Sequence, residues 1–238
     1  MSVRPAFCLL EMMTRRFRDR QQAGQALGQE LRAYARRRDV IVFGLPRGGV
    51  PVAFEVAQAL RAPLDVCLVR KLGVPGREEL AMGAVAPGGI RILNWELVES
   101  LGLSKAEIDT TLRREEGELA RSAQLYRGNA PRLTTEERIT ILVDDGLATG
   151  ATMRAAVVSL QEQQAARVVV AVPVAARSAC DELAGEADEL VCLETPEPFY
   201  AVGLWFQDFR QTTDDEVRDL LALAARPRVE AQPVQPGS

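Results

Sequence analysis

The sequence contains no histidine. That absence removes histidine triads, histidine general bases and the usual zinc ligand sets from consideration. Cysteine is scarce: Cys8, Cys67, Cys180 and Cys192 are scattered through 238 residues, none at Cys-x-x-Cys spacing. A disulfide scaffold is unexpected in a chain of this length, and Cys67 and Cys192, set in apolar runs, read as small core residues. Long apolar runs are missing as well. The early run over 6–10 stops at Glu11, too short for a secretory core or a membrane span, so a cytoplasmic location is expected. Positive charge is not in excess, because the net charge is -4. A broad nucleic-acid-binding face is therefore not expected, although a local basic pocket is compatible with that balance. Neither a Walker Gly-Lys-Thr nor a Gly-x-Gly-x-x-Gly occurs, so the common nucleotide-binding turns are excluded.

What is present is a globular balance, 47% hydrophobic and 26% charged, with length for one well-filled core. Apolar periodicity predicts a helix over 19–38, a buried strand at Val40-Ile-Val-Phe-Gly, a helix over 48–61 and a strand over 65–70. Residues 71–137 interrupt the alternation: a Gly/Pro loop over 71–80, a hairpin around Pro87-Gly-Gly, and a helix opened by the capping box Ser104-Lys-Ala-Glu107. Strands at 138–143, 167–172 and 189–193 then alternate with helices at 149–164 and 177–184, and Thr213-Asp-Asp-Glu216 caps a last helix. Continuous apolar strands alternating with helices predict a doubly wound α/β fold with a mainly parallel sheet. A small hood or insertion is expected from residues 71–137 and the terminal segments. Residues 1–13 read as a disordered or start-site extension, 14–225 as one domain, and the Pro-rich 226–238 as a disordered tail.

The chemistry concentrates after the strand at 138–143. Asp144 and Asp145 fall at its carboxyl end, where open α/β sheets bind ligands. The following Gly146-Leu-Ala-Thr-Gly-Ala-Thr152 is small and hydroxylic and leads into a helix. Such a turn aims backbone N–H groups and threonine hydroxyls at a phosphate. A phosphate cradle beside paired carboxylates suggests a phosphorylated polyol, because carboxylates accept hydrogen bonds from vicinal hydroxyls.

Val143-Asp-Asp-Gly-Leu-Ala-Thr-Gly-Ala-Thr152 resembles the ribose-5-phosphate motif of type I phosphoribosyltransferases. The resemblance spans roughly 40–193. It implies that Asp144 and Asp145 hold the ribose hydroxyls of 5-phosphoribosyl 1-diphosphate, while Gly146, Ala148, Thr149, Gly150, Ala151 and Thr152 wrap its 5′-phosphate. Phe43-Gly-Leu-Pro-Arg-Gly-Gly-Val50 resembles the family's diphosphate loop, with Pro46, Arg47, Gly48 and Gly49 at the diphosphate and a cis bond expected at Pro46–Arg47. A Gly-rich turn with a solvated arginine is the alternative for that loop. Arg70 and Lys71 resemble basic residues that neighbour the diphosphate, and 73–80 resembles the start of the mobile catalytic loop.

The aromatic end, 199–209, is similar to hypoxanthine-type members, which implies Phe199 or Trp205 against the acceptor base and Asp208 near a metal ion. Trp205, Phe206 and Phe209 equally suit sealing a hydrophobic edge. The arginines at 15, 16, 18 and 20, and the run 36–38, read as solvated helix charges. The family further implies Mg²⁺ as cofactor, an acceptor with a ring nitrogen, and a homodimer. Asp144, Asp145 and Lys71 stand as catalytic residues, with Asp145 as the base if a protein group takes a proton. Two rivals stay open: a non-catalytic sensor of the same sugar diphosphate, and a transferase or hydrolase of another phosphoribosyl compound.

Overall fold

The computed structural model describes residues 16–128 and 130–226. The expected extension over 1–13, with Cys8, and Arg15 lie outside the described residues, as does the expected tail beyond Arg226. Five parallel strands form the central sheet: β1 (Val40–Gly44), β2 (Leu64–Val66), β6 (Ile139–Val143), β7 (Arg167–Val174) and β8 (Glu189–Glu194). Their order across the sheet is β2-β1-β6-β7-β8. Both β1 and β6 are buried along their whole length. That burial explains why they read as unbroken apolar runs and not as alternating patterns.

Successive side chains point to opposite faces of each strand. Ile41, Phe43, Leu142, Val168 and Val170 face α5 (Ala151–Glu162) and α6 (Arg177–Leu183), packing on Met153, Leu160 and Leu183. Val40, Val42, Ile141 and Val169 face α1 (Arg20–Glu30) and α2 (Gly49–Leu60), packing on Leu27, Val52 and Val56. Two such layers on one sheet make the fold doubly wound. Among the described residues, no helix is long and apolar enough to cross a membrane.

The insertion departs from expectation. The strand predicted over 65–70 divides. β2 ends at Val66, and β3 (Arg70–Val74) joins a second, antiparallel sheet with β4 (Arg77–Ala86) and β5 (Ile90–Leu93), in the order β3-β4-β5. The predicted loop over 71–80 is therefore a hairpin, with Val74 paired to Arg77 across Pro75 and Gly76. Leu72, Val74, Met82 and Val85 are buried against Ile108, Leu112 and Leu119 of α4 (Lys105–Arg127). Burial of that alternating face outweighs the local loop preference of the Gly/Pro residues. The hairpin expected around Pro87 is present as β4–β5, and α3 (Trp95–Ser100), capped by Asn94, is an element the sequence pattern does not announce.

The first helix is shorter than predicted. It ends at Glu30, and Leu31–Tyr34 form one 3-10 turn. Tyr34 Oη donates to Glu189 of β8 at 2.6 Å, and Arg36 N–H donates to Leu60 O at 2.8 Å. These bonds carry the chain under the sheet instead of continuing the helix. Both predicted capping boxes form, at Ser104/Glu107 on α4 and at Thr213/Glu216 on α7 (Asp214–Ala224). Residues 17 and 18 pair with Trp205, Gln207 and Asp208, which ties the start of the described chain to the aromatic end.

Candidate functional site

The order β2-β1-β6-β7 puts a topological switch between β1 and β6. The chain leaves β1 through α2 toward one side and leaves β6 through α5 toward the other, so their two loops part and open a crevice at the carboxyl edge. Leu45 N–H still reaches Val143 O at 2.9 Å, holding the loops together at their base. The Pro46–Arg47 peptide is cis, and Gly48 and Gly49 follow it. A Cβ on Gly49 would lie 2.6 Å from Val143 O and 2.9 Å from Asp144 Oδ1, and one on Gly48 would overlap the Asp145 carboxylate. Glycine is required at both positions because the loop backbone is laid directly on the acidic pair.

Each acid has one committed oxygen. Asp144 Oδ1 accepts the N–H of Asp145 at 2.8 Å. Asp145 Oδ2 accepts Arg20 Nε at 2.8 Å and Arg20 Nη2 at 2.7 Å. The other oxygens, Asp144 Oδ2 and Asp145 Oδ1, accept nothing from another residue among those described. Both residues are half-buried. Burial pushes both carboxyls above the usual carboxylate range. The charge of Asp145 raises Asp144 further, while the Asp145 N–H and the Arg20 guanidinium oppose the rise.

Beyond the acids, Gly150 (φ 70°) caps α5, and no side chain closes that helix end. Among the described residues, the N–H groups of Ala148, Thr149, Gly150, Ala151 and Thr152 have no protein acceptor. A helix start with several unsatisfied donors and the positive end of its dipole is a ready anion site. Gly146 has Val202 packed against it, at 2.5 Å from the position of a Cβ, so the turn is backed by the segment after β8.

A cavity of about 450 Å³ opens next to this turn, lined by Pro46, Arg47, Arg70 and Thr152 together with Tyr126 and Asp214. Its cations are already engaged. Arg47 Nη1 lies 3.7 Å from Asp214 Oδ2, and Arg70 Nε lies 3.1 Å from Glu115 Oε2. Tyr126 Oη donates to Asp214 Oδ1 at 2.5 Å. Burial, reinforced by that bond, pushes the Tyr126 phenol up to about 12. A polyanion entering here meets two half-exposed guanidinium groups held by carboxylates it can displace. Lys71, opposite Ala84 on β3, is not among the lining residues.

The remaining predicted residues sit apart from these loops. Trp205 is 6% exposed, packed with Ala23, Val174 and Phe206, and Phe199 packs on the same cluster, so the edge-sealing alternative describes both in this state. Their neighbour Tyr200 is 75% exposed. Asp208 accepts Arg210 N–H at 3.1 Å and Arg210 Nη1 at 2.8 Å, which engages both its oxygens. No group of three or more acidic, cysteine or histidine side chains is placed to hold a metal among the described residues. The side chains present therefore do not form a protein cage for Mg²⁺. Sequence reasoning misses Asp214, Tyr126 and above all Arg20, which reads as a solvated charge. The partners of Arg20 and Tyr126 lie 125 and 88 residues away in the chain, so no local pattern announces them.

Switch-point crevice, acidic pair and open helix start meet at the carboxyl edge of a doubly wound α/β fold. The phosphoribosyl transferase domain model matches residues 18–203, and the chain belongs to that family. It is 48% identical over 215 residues to proteins of two Mycobacterium tuberculosis strains, CDC 1551 / Oshkosh and H37Rv, that carry the provisional name phosphoribosyl transferase. The match covers 90% of this chain and 48% of theirs, so the chain spans about half the length of these curated relatives. A crystal structure of a Thermus thermophilus protein superposes with TM-score 0.81 at 41% identity, covering 89% of this chain and 100% of the other.

Proposed function

We propose that the chain binds 5-phosphoribosyl 1-diphosphate in this crevice and transfers the phosphoribosyl group to a nitrogenous, base-like acceptor, releasing diphosphate. The observation that carries the reading is the conjunction on one turn of two carboxylate oxygens that no other described residue engages, on Asp144 and Asp145, with a helix start six to seven residues on that no side chain caps. Two acceptor oxygens on adjacent residues suit a vicinal diol, and the free N–H groups suit the phosphate on the same sugar.

In this reading the bond from ribose C1 to the diphosphate oxygen breaks as the C1–nitrogen bond forms, and positive charge develops on the sugar. Asp144 and Asp145 hold the 2′ and 3′ hydroxyls and favour that charge through space. Arg47 and Arg70 turn from Asp214 and Glu115 to the departing diphosphate, with Lys71 behind Arg70 on β3. A proton lost by the acceptor passes to the acidic pair, whose carboxyls burial raises above the usual range, with Asp145 as the base, or leaves with the diphosphate. Mg²⁺ would be held through the bound ligand, since no cluster of three or more acidic side chains is placed to hold it among the described residues, and would supply counter-charge to the diphosphate.

The test is turnover. Incubation with 5-phosphoribosyl 1-diphosphate, Mg²⁺ and a panel of nitrogen bases is expected to release diphosphate with at least one acceptor. Saturable binding without release for any acceptor would favour a sensor, and absence of binding would remove the donor assignment.

A further inference from the structure

Arg20 opens α1, yet its side chain is only 12% exposed and points across to the acidic turn. It is held on every side. Nε and Nη2 both donate to Asp145 Oδ2, Nη1 donates to the backbone carbonyl of Arg210 at 2.8 Å, and the guanidinium lies 4.0 Å over the Phe209 ring. Phe209 itself packs at a tilt against Phe206, 5.0 Å between ring centres, and Phe206 against Phe17 at 5.7 Å. On one side Arg20 Nη2 is 3.3 Å from the place of a Cβ on Gly48, and on the other Arg20 lines a cavity of about 500 Å³ with Asp208 and Arg210.

We propose that Arg20 is a positioning residue of the donor site, which locks Asp145 in the rotamer that turns Oδ1, and not Oδ2, toward the ribose. This inference rests on the donor-site reading above. Two donors converge on one oxygen of Asp145, so the carboxylate cannot rotate without breaking both bonds. The backbone of Gly48 closes the remaining space. Planarity is what the arrangement uses: one guanidinium satisfies a carboxylate, a carbonyl and a ring face at once, and a lysine ammonium cannot. The Arg20 cation also opposes the effect of burial on Asp145. Through Phe209 and the Arg210 carbonyl, the aromatic end and α1 are coupled to the ribose-facing acid, although neither carries a residue of the acidic motif.

The experiment compares the full chain with Arg20→Lys, Arg20→Gln and Phe209→Leu, measuring affinity for 5-phosphoribosyl 1-diphosphate and, separately, for inorganic diphosphate. Inorganic diphosphate has no ribose and does not engage Asp145, so it reports the integrity of the neighbouring cavity. Arg20→Gln is expected to weaken the sugar diphosphate by roughly tenfold to a hundredfold, as a misplaced contact does, with diphosphate affinity unchanged. Arg20→Lys, which keeps the charge without the planar fork, and Phe209→Leu, which keeps Arg20 without its ring, are expected to fall between. If Arg20→Gln does not fold, the Lys and Leu variants decide the question by the same selective loss. Unchanged affinity for the sugar diphosphate would overturn the proposal, as would parallel losses for both ligands, which mark a merely structural role. If the unaltered chain binds inorganic diphosphate and not the sugar diphosphate, the donor-site reading fails, and this proposal with it.

Discussion

Asp144 and Asp145 are adjacent in sequence and differ in what the fold does for each. Asp145 is paired to a cation, whereas Asp144 has a neighbouring N–H, a like charge beside it and the Arg20 charge without a direct bond to it. Burial holds the Asp144 carboxyl above its unfolded value, so the folded protein binds that proton more tightly than the unfolded chain does. The associated stability is present at low pH and is lost as pH rises from the unfolded value toward the raised folded one. Asp144→Asn, whose Oδ1 still accepts the Asp145 N–H, is therefore expected to gain on the order of 1 kcal/mol at pH 7, with little difference near pH 4. Denaturant melts at the two pH values check this, and a less stable Asn variant at pH 7 contradicts it. Asp145→Asn is expected to gain less than Asp144→Asn at pH 7, because the loss of the Arg20 ion pair offsets the relief of a buried carboxylate. At this scale the acids, the glycines and Arg47 are legible from sequence because the turn that uses them is local. Arg20 is not: its reading as a solvated charge follows correctly from its neighbours Arg16, Arg18 and Asp19, and its role comes from Asp145 and Phe209 far along the chain.

The elements divide in the same way. Strands β1 and β6 are plain as continuous apolar runs, and the two capping boxes fix the starts of α4 and α7 to the residue. The β3–β4 hairpin is hidden because Gly73, Pro75 and Gly76 signal a loop, while the face that holds it, Leu72, Val74 and Met82, acts only once α4 is packed on it. The segment 73–80, read as the start of a mobile loop, lies in this structure within the β3–β4 hairpin. The two capping boxes also separate stability from function. Ser104→Ala and Thr213→Ala are each expected to cost ~1 kcal/mol, read by thermal melts. Only Thr213→Ala is expected to alter diphosphate affinity, since the first residue of α7 is Asp214, which holds Arg47 and receives Tyr126. Equal diphosphate affinity in the two variants would show that Asp214 does not set Arg47.

Across the whole molecule, the site depends on strand order, which no single motif reports. The crevice exists because β1 and β6 are neighbours whose successors diverge, and the alternation of strands and helices makes that arrangement legible only as a fold class. The insertion is fastened to this sheet by a largely buried ion pair, Arg127 Nε to Asp65 Oδ1 at 2.9 Å, with side chains 11% and 9% exposed. Arg127→Ala is expected to destabilise by roughly 3 kcal/mol or more, because Asp65 would remain buried without its cation; a cost near zero in denaturant melts would contradict that.

The central claim is that the two carboxylates of this turn bind a phosphorylated ribose. Titration calorimetry with 5-phosphoribosyl 1-diphosphate and Mg²⁺, comparing the unaltered chain with the Asp144→Asn/Asp145→Asn double variant, tests it most directly. The expected result is saturable binding to the former and none to the latter, with both folded by circular dichroism. Equal affinity in the two proteins would contradict the account.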